Sequence, residues 1–128
     1  MSNPISNYLG VHAAALPLRE QRMQLIASNL ANVDTPHYKA KDISFQAALE
    51  SAALQAAAPE STHERHLTLL DAGPRIFERT GVQPSLDGNT VDADTERAAY
   101  GRAALEYRAS LSFVESKVRT LLTAITGQ

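Results

Sequence analysis

The sequence has no cysteine and no tryptophan. Without cysteine there is no disulfide, no iron–sulfur cluster and no thiolate zinc site, and the chain carries no mark of an oxidising or a reducing compartment. Aromatic residues make up only 5% of the 128 positions. Neither sign of charge dominates: 12 Lys+Arg against 14 Asp+Glu give a net charge of -2, which excludes a strongly basic nucleic-acid-binding surface. No apolar run reaches the roughly 18 residues that a membrane-spanning helix needs. The opening Met1-Ser2-Asn3-Pro4-Ile5-Ser6-Asn7-Tyr8-Leu9-Gly10 lacks the basic start and clean apolar run of a secretory signal. The expectation is a chain that stays inside or leaves by a route needing no cleaved signal.

What is present is aliphatic and helical. Hydrophobic residues account for 44% of the chain, with alanine the commonest. A single domain of this length rich in so small a side chain is short of surface to bury, so it folds marginally or completes its fold against partners. Near the N-terminus, Leu9, Leu16, Met23 and Leu30 recur every seven residues, and Ile26 and Val33 take the second position of the same seam. His12 and Arg19 interrupt it. Pro17 marks an early turn or a kink, so the firm helix runs over about 18–30 and stops at Asn32-Val33-Asp34-Thr35-Pro36. A second helix is expected over 44–58, with Phe45, Leu49, Ala52 and Ala56 on one face and Pro59 after it.

The C-terminal third carries the longest pattern. Tyr100, Ala104, Tyr107, Leu111, Val114, Val118, Leu121 and Ile125 alternate at spacings of four and three, over three heptads of a coiled-coil-like seam. Asp92 is placed to cap that helix, Asp94 and Glu96 suit its first turn, and Gly127 suits its stop. A helix from Asp92 to Thr126 is roughly 50 Å long, too long to hide its stripe within so small a chain. Between the helical ends, residues 59–90 are rich in turn formers: Pro59, Gly73-Pro74, Gly81, Pro84 and Asp87-Gly88. His66-Leu67-Thr68-Leu69-Leu70 and Arg75-Ile76-Phe77 each suit a short strand, and a small β-hairpin and a mobile loop are both compatible with them. The expected fold class is therefore all-α, with long N- and C-terminal helices forming a coiled-coil-like core. Residues 1–58 and 91–128 form its discontinuous helical parts, and 59–90 a loop or hairpin insertion.

Chemistry-bearing constellations are missing. His63 and His66 stand three apart, but no cysteine joins them, and Glu60 and Glu64 read as surface residues. Asp87-Gly88-Asn89-Thr90-Val91-Asp92-Ala93-Asp94 begins like a calcium loop. Val91 and Asp92 then stand where an oxygen ligand and a glycine are needed, so a turn leading into a helix cap is the better reading. No nucleophile elbow, phosphate loop or dinucleotide fingerprint occurs. An enzyme is not expected, and no cofactor or metal.

The stretch Ile26-Ala27-Ser28-Asn29-Leu30-Ala31-Asn32-Val33-Asp34-Thr35-Pro36-His37-Tyr38 resembles the signature shared by the axial proteins of the bacterial flagellum. In that family an N-terminal helix leads into Ala-Asn and then Thr-Pro-Gly-Tyr. His37 stands where the family has glycine, and a positive φ at that glycine would put strain on a histidine. Lys39-Ala40-Lys41-Asp42-Ile43-Ser44-Phe45, the run from Gln83 to Glu96, Tyr107 and the terminal Ala124-Ile125-Thr126-Gly127 are similar to the short proximal-rod members. Ala103 stands where relatives often carry Asn, which removes one polar contact between helices.

The resemblance implies a structural, torque-transmitting rod subunit of the flagellar basal body, in the periplasm. It implies export through the flagellum's own apparatus without a cleaved signal. The implied partners are further copies, other flagellar rod proteins, and membrane-ring and export-gate components, with no nucleic acid. It marks Asn29, Asn32, Thr35, Pro36 and Tyr38 as an assembly motif. The helix seam to be buried is Leu16, Met23, Ile26, Leu30, Tyr107, Leu111, Val114, Val118, Leu121 and Ile125. A second reading of the same helices is a small helical adaptor or secretion-associated chaperone that folds alone and binds a soluble partner.

Overall fold

A computed structural model describes residues 4–57, 75–81 and 85–127 of the chain. Helix α1 spans Pro4–Ala31, strand β1 Lys41–Ile43, helix α2 Phe45–Ala57, strand β2 Ile76–Glu78 and helix α3 Ala93–Thr126. The molecule is a long helical pair with a short helix and a two-stranded sheet against one end. The segment His66–Leu70 lies outside the described residues.

Local chemistry sets the ends of α3. The Asp92 side chain accepts from the Thr95 N–H at 2.7 Å. Gly127 takes the left-handed conformation that closes the other end, its N–H donating to the Thr123 carbonyl at 2.8 Å. Helix α1 is longer than its sequence suggests. Pro17 lies inside it rather than near its start, and the helix reaches back to Pro4. A proline within a helix leaves one carbonyl unbonded, and packing along α3 holds the helix on both sides of it. The true break is at Gly10, with φ 63° and ψ -152°.

Helices α1 and α3 run antiparallel and make the main contact of the fold. Four pairs fix one register from end to end. Lys117 Nζ donates to the Tyr8 carbonyl at 2.9 Å, and His12 stacks on Phe113 with ring centroids 4.6 Å apart. Arg19 pairs with Glu106 at 2.7 Å, and Asn29 with Glu96 at 3.2 Å. Small residues let the helices approach: Ala15 on α1 and Ala103 and Ser110 on α3 are buried. The apolar core gathers at one side of this pair, where Leu18, Ile43 and Ala48 are buried and Leu25, Phe45 and Leu49 pack against them. Each fully buried aliphatic side chain contributes about 1.5–3 kcal/mol. Among the described residues they are few, and the core they form is thin.

The sheet joins distant segments. Strand β2 pairs antiparallel with β1, in the register Lys41↔Glu78, Asp42↔Phe77 and Ile43↔Ile76. The strand expected at Arg75-Ile76-Phe77 therefore exists, and its partner lies before α2.

Candidate functional site

The motif that follows α1 forms a hydrogen-bonded clasp between α1, β1 and the approach to α3. Its centre is Asn29, a fully buried side chain in the last turn of α1. Its amide Nδ2 donates to the Lys41 carbonyl at 2.8 Å, and its Oδ1 accepts from the Lys41 N–H at 2.9 Å. One side-chain amide thus pairs with β1 as a neighbouring strand would, and occupies the edge of β1 opposite β2. The same amide also donates to Glu96 Oε2, and its oxygen accepts from the Tyr38 hydroxyl at 3.3 Å. All four hydrogen-bonding positions of the buried amide are used.

The turn after α1 is held from within and from across. Asn32 donates from Nδ2 to the Ser28 carbonyl at 2.7 Å, and its Oδ1 accepts from the Thr35 hydroxyl at 3.2 Å. The Thr35 N–H donates to the Asn32 carbonyl at 3.1 Å. Pro36 is exposed, and its ring fixes φ within the turn. His37 has φ 62°, so a histidine does occupy the left-handed backbone that favours glycine. Its N–H donates to the Asp87 carbonyl at 2.9 Å, and its ring lies over Gly88, where an added Cβ would come within 3.1 Å of Nδ1.

Asn89 closes the clasp, and it was not singled out among the site residues read from the sequence. Its buried Nδ2 reaches the carbonyls of Asn32, Val33 and Thr35 at 3.0, 2.9 and 2.9 Å. Two amide hydrogens are shared among three carbonyls at the C-terminus of α1, where unpaired acceptors collect. Its Oδ1 accepts from the Val91 N–H at 2.8 Å. Nearby, Asp87 accepts from the Asn89 N–H, which holds its carboxyl below the ordinary 3.8. The Thr95 N–H does the same for Asp92.

A line of charges runs beneath the clasp. Arg22 on α1 pairs with Asp42 on β1 at 3.1 Å. Arg79, just past β2, lies 4.0 Å from Asp42, a charge contact without a hydrogen bond. Arg79 also pairs with the buried Glu96 on α3. Glu96 fits the first turn of α3, as its sequence position suggests. Its burial and its Arg79 partner leave no signal in local sequence. Removing Arg79 would leave the buried Glu96 carboxylate without its charge partner, a costly arrangement.

The seam residues divide. Ile26 is buried, and Leu16, Met23, Leu30, Tyr107, Val114 and Leu121 are half-buried. Leu111, Val118 and Ile125 are 36%, 40% and 73% exposed. The surface of α3 that meets α1 is centred on Glu96, Ala103 and Ser110. The larger aliphatics lie on the adjoining face, where Val114, Val118 and Leu122 border a shallow groove with Glu115 and Arg119. Among the described residues no group of three or more His, Asp and Glu gathers as metal ligands, and no helix is long and apolar enough to cross a membrane.

Residues 9–39 match a family described as "Flagella basal body rod protein". The chain is 43% identical over 122 residues to the flagellar basal body rod protein FlgB of Aeromonas hydrophila, covering 93% of this chain and 92% of that one. It is 37% identical over 120 residues to the FlgB of Escherichia coli (strain K12), covering 87% of each. With the FlgB of Salmonella typhimurium the identity is 34% over 122 residues, covering 88% of each.

Proposed function

The chain belongs to the FlgB family of flagellar basal body rod proteins and is a structural subunit of that rod in the periplasm, not an enzyme; we propose how its surfaces divide that work. The clasp, with Asn29, Asn32, Thr35, Pro36 and Tyr38, sets the register of α1 on α3 and presents the turn after α1 to a neighbouring subunit. The aliphatic face of α3, with Leu111, Val118 and Ile125, is buried against helices of other copies and other rod proteins. Leu16, Met23, Ile26, Leu30, Tyr107, Val114 and Leu121 join the two helices along the inner side of that array. In this division, 1–58 and 91–128 build the helical core of the rod, and 59–90 supplies outer contacts. The subunit reaches the periplasm through the flagellar export apparatus. It sits at the base of the rod, against the membrane ring and the export gate.

The observation that carries this reading is the exposed stripe on α3. Coiled-coil spacing at a face with no partner among the described residues describes a surface made for another helix. Burial on assembly returns about 25 cal/mol per Å² of apolar area, less the cost of ordering the subunit. The test is fractionation of intact basal bodies from the source bacterium, followed by mass spectrometry. Retention of the chain after detergent and salt washing is expected. Its absence from intact basal bodies would overturn the proposed division of surfaces.

A further inference from the structure

Helix α1 carries two contradictory signals at Gly10. The heptad spacing of Leu9, Leu16, Met23 and Leu30 carries Leu9 across that residue in step with the rest of α1, as in one continuous helix, although His12 and Arg19 interrupt the second position of the seam. The backbone breaks there, with φ 63° and ψ -152°, a conformation open essentially to glycine alone. The break frees the Tyr8 carbonyl, which an unbroken helix would bond to the His12 N–H. Lys117 of α3 takes that carbonyl instead, with Nζ at 2.9 Å, and the same ammonium lies 5.6 Å from the centre of the Tyr8 ring.

We propose that Gly10 is a hinge and Lys117 its latch. In the free chain the segment 4–9 is bent and held on α3. When the subunit is built into its assembly, Lys117 releases Tyr8, the Tyr8 carbonyl bonds to the His12 N–H, and residues 4–31 become one straight helix with Leu9 in line with Leu16. The hinge concerns the isolated chain and stands by itself; its coupling to assembly rests on the rod reading above.

Glycine suits both states. It alone reaches the bent geometry, and its weak helix preference keeps the straight one from prevailing in the free chain. The position does not need glycine for space: an added Cβ would lie 3.6 Å from Lys117 Nζ, an ordinary contact. Alanine at 10 therefore fits sterically but cannot hold the bend, and it selects the straight helix.

Nuclear magnetic resonance on the purified full-length chain tests the hinge. In the wild type, residue 10 is expected to show non-helical carbon shifts and the His12 amide to exchange rapidly. Gly10→Ala is expected to give helical shifts at residue 10 and to slow His12 exchange at least tenfold. Lys117→Met, which leaves the hinge glycine in place, is expected to move both signals the same way. A wild-type chain already helical through residue 10 overturns the proposal. So does an unchanged residue 10 and His12 in Lys117→Met, which also decides the matter if Gly10→Ala does not fold. For the coupling, cells producing Gly10→Ala are expected to swim. A folded, straight Gly10→Ala that is produced but does not support swimming overturns the coupling and leaves the hinge. Absence of the wild-type chain from basal bodies removes the rod reading instead.

Discussion

Replacing Asn29 with alanine tests the clasp at its centre. The substitution removes a fully buried amide that bonds both the N–H and the carbonyl of Lys41. Each of these backbone groups, left without a partner, costs about 1–3 kcal/mol. The hydrogen bond to the Glu96 carboxylate is also lost, and bonds to charged groups contribute about 1.5–3 kcal/mol. Alanine recovers roughly 0.5 kcal/mol through helix propensity. The expected loss is about 3–8 kcal/mol, a large share of the about 5–15 kcal/mol that holds an ordinary domain. Urea unfolding of the purified chain, followed by circular dichroism, should show the midpoint falling by roughly 2 M or more with the slope unchanged.

Asn29→Asp sharpens the test. The introduced carboxylate still accepts from the Lys41 N–H but cannot donate to the Lys41 carbonyl, and it faces Glu96. Its folded pKa should rise above the ordinary value of about 3.9. The destabilisation should therefore be full at neutral pH and shrink as the pH falls through that raised pKa, where the protonated group donates again. A loss below about 1 kcal/mol for Asn29→Ala, or an Asp variant whose deficit does not shrink on acidification, would refute the reasoning.

His37→Gly should raise stability by about 1 kcal/mol by relieving the left-handed backbone, and His37→Ile should lower it by at least that much; thermal unfolding of the pair would show the opposite signs, and equal effects would place the strain elsewhere. Leu111→Asp and Ile125→Asp, at exposed sites, should change urea stability by less than about 0.5 kcal/mol yet abolish swimming, while Ile26→Asp should prevent folding. Wild-type motility in the first two would count against the proposed outer face of α3. The Asp92 carboxyl should titrate below its ordinary 3.8 in a carbon-13 experiment, because it accepts from the Thr95 N–H. Since the folded value is depressed, the cap's contribution is complete above 3.8 and disappears as the pH falls through the folded midpoint. A midpoint at or above 3.8 would mean the cap does not form in solution.

How far the fold could be read in advance depended on the range of the interaction. Asp92 and Gly127 close their helix through bonds to residues three and four positions away, so local composition located both ends of α3. The left-handed turn at His37 was legible because a glycine is expected there. Gly10 was not read as a break, since the contact beside it comes from Lys117, more than a hundred residues later in the chain. The α1-facing side of α3 was hidden for another reason. Close helix packing selects Ala103 and Ser110, which no hydrophobic pattern marks, and the larger aliphatics draw attention to the adjoining face. Asn89 and Glu96 were missed as site residues because their partners come from α1 and Arg79, and a buried polar group is identified only by what it touches.

The antiparallel register places the beginning of α1 and the end of α3 at one extremity and the clasp at the other. The clasp joins the end of α1 to the start of α3 directly, through Asn89 to the carbonyls after α1 and Asn29 to Glu96. Helix pairing therefore does not depend on the length of chain between α2 and β2. Loop closure scales with the logarithm of length, so doubling that connection costs only about 0.6 kcal/mol. The clasp thus uncouples the helix pair from that connection, whose length the closure cost leaves nearly free to vary.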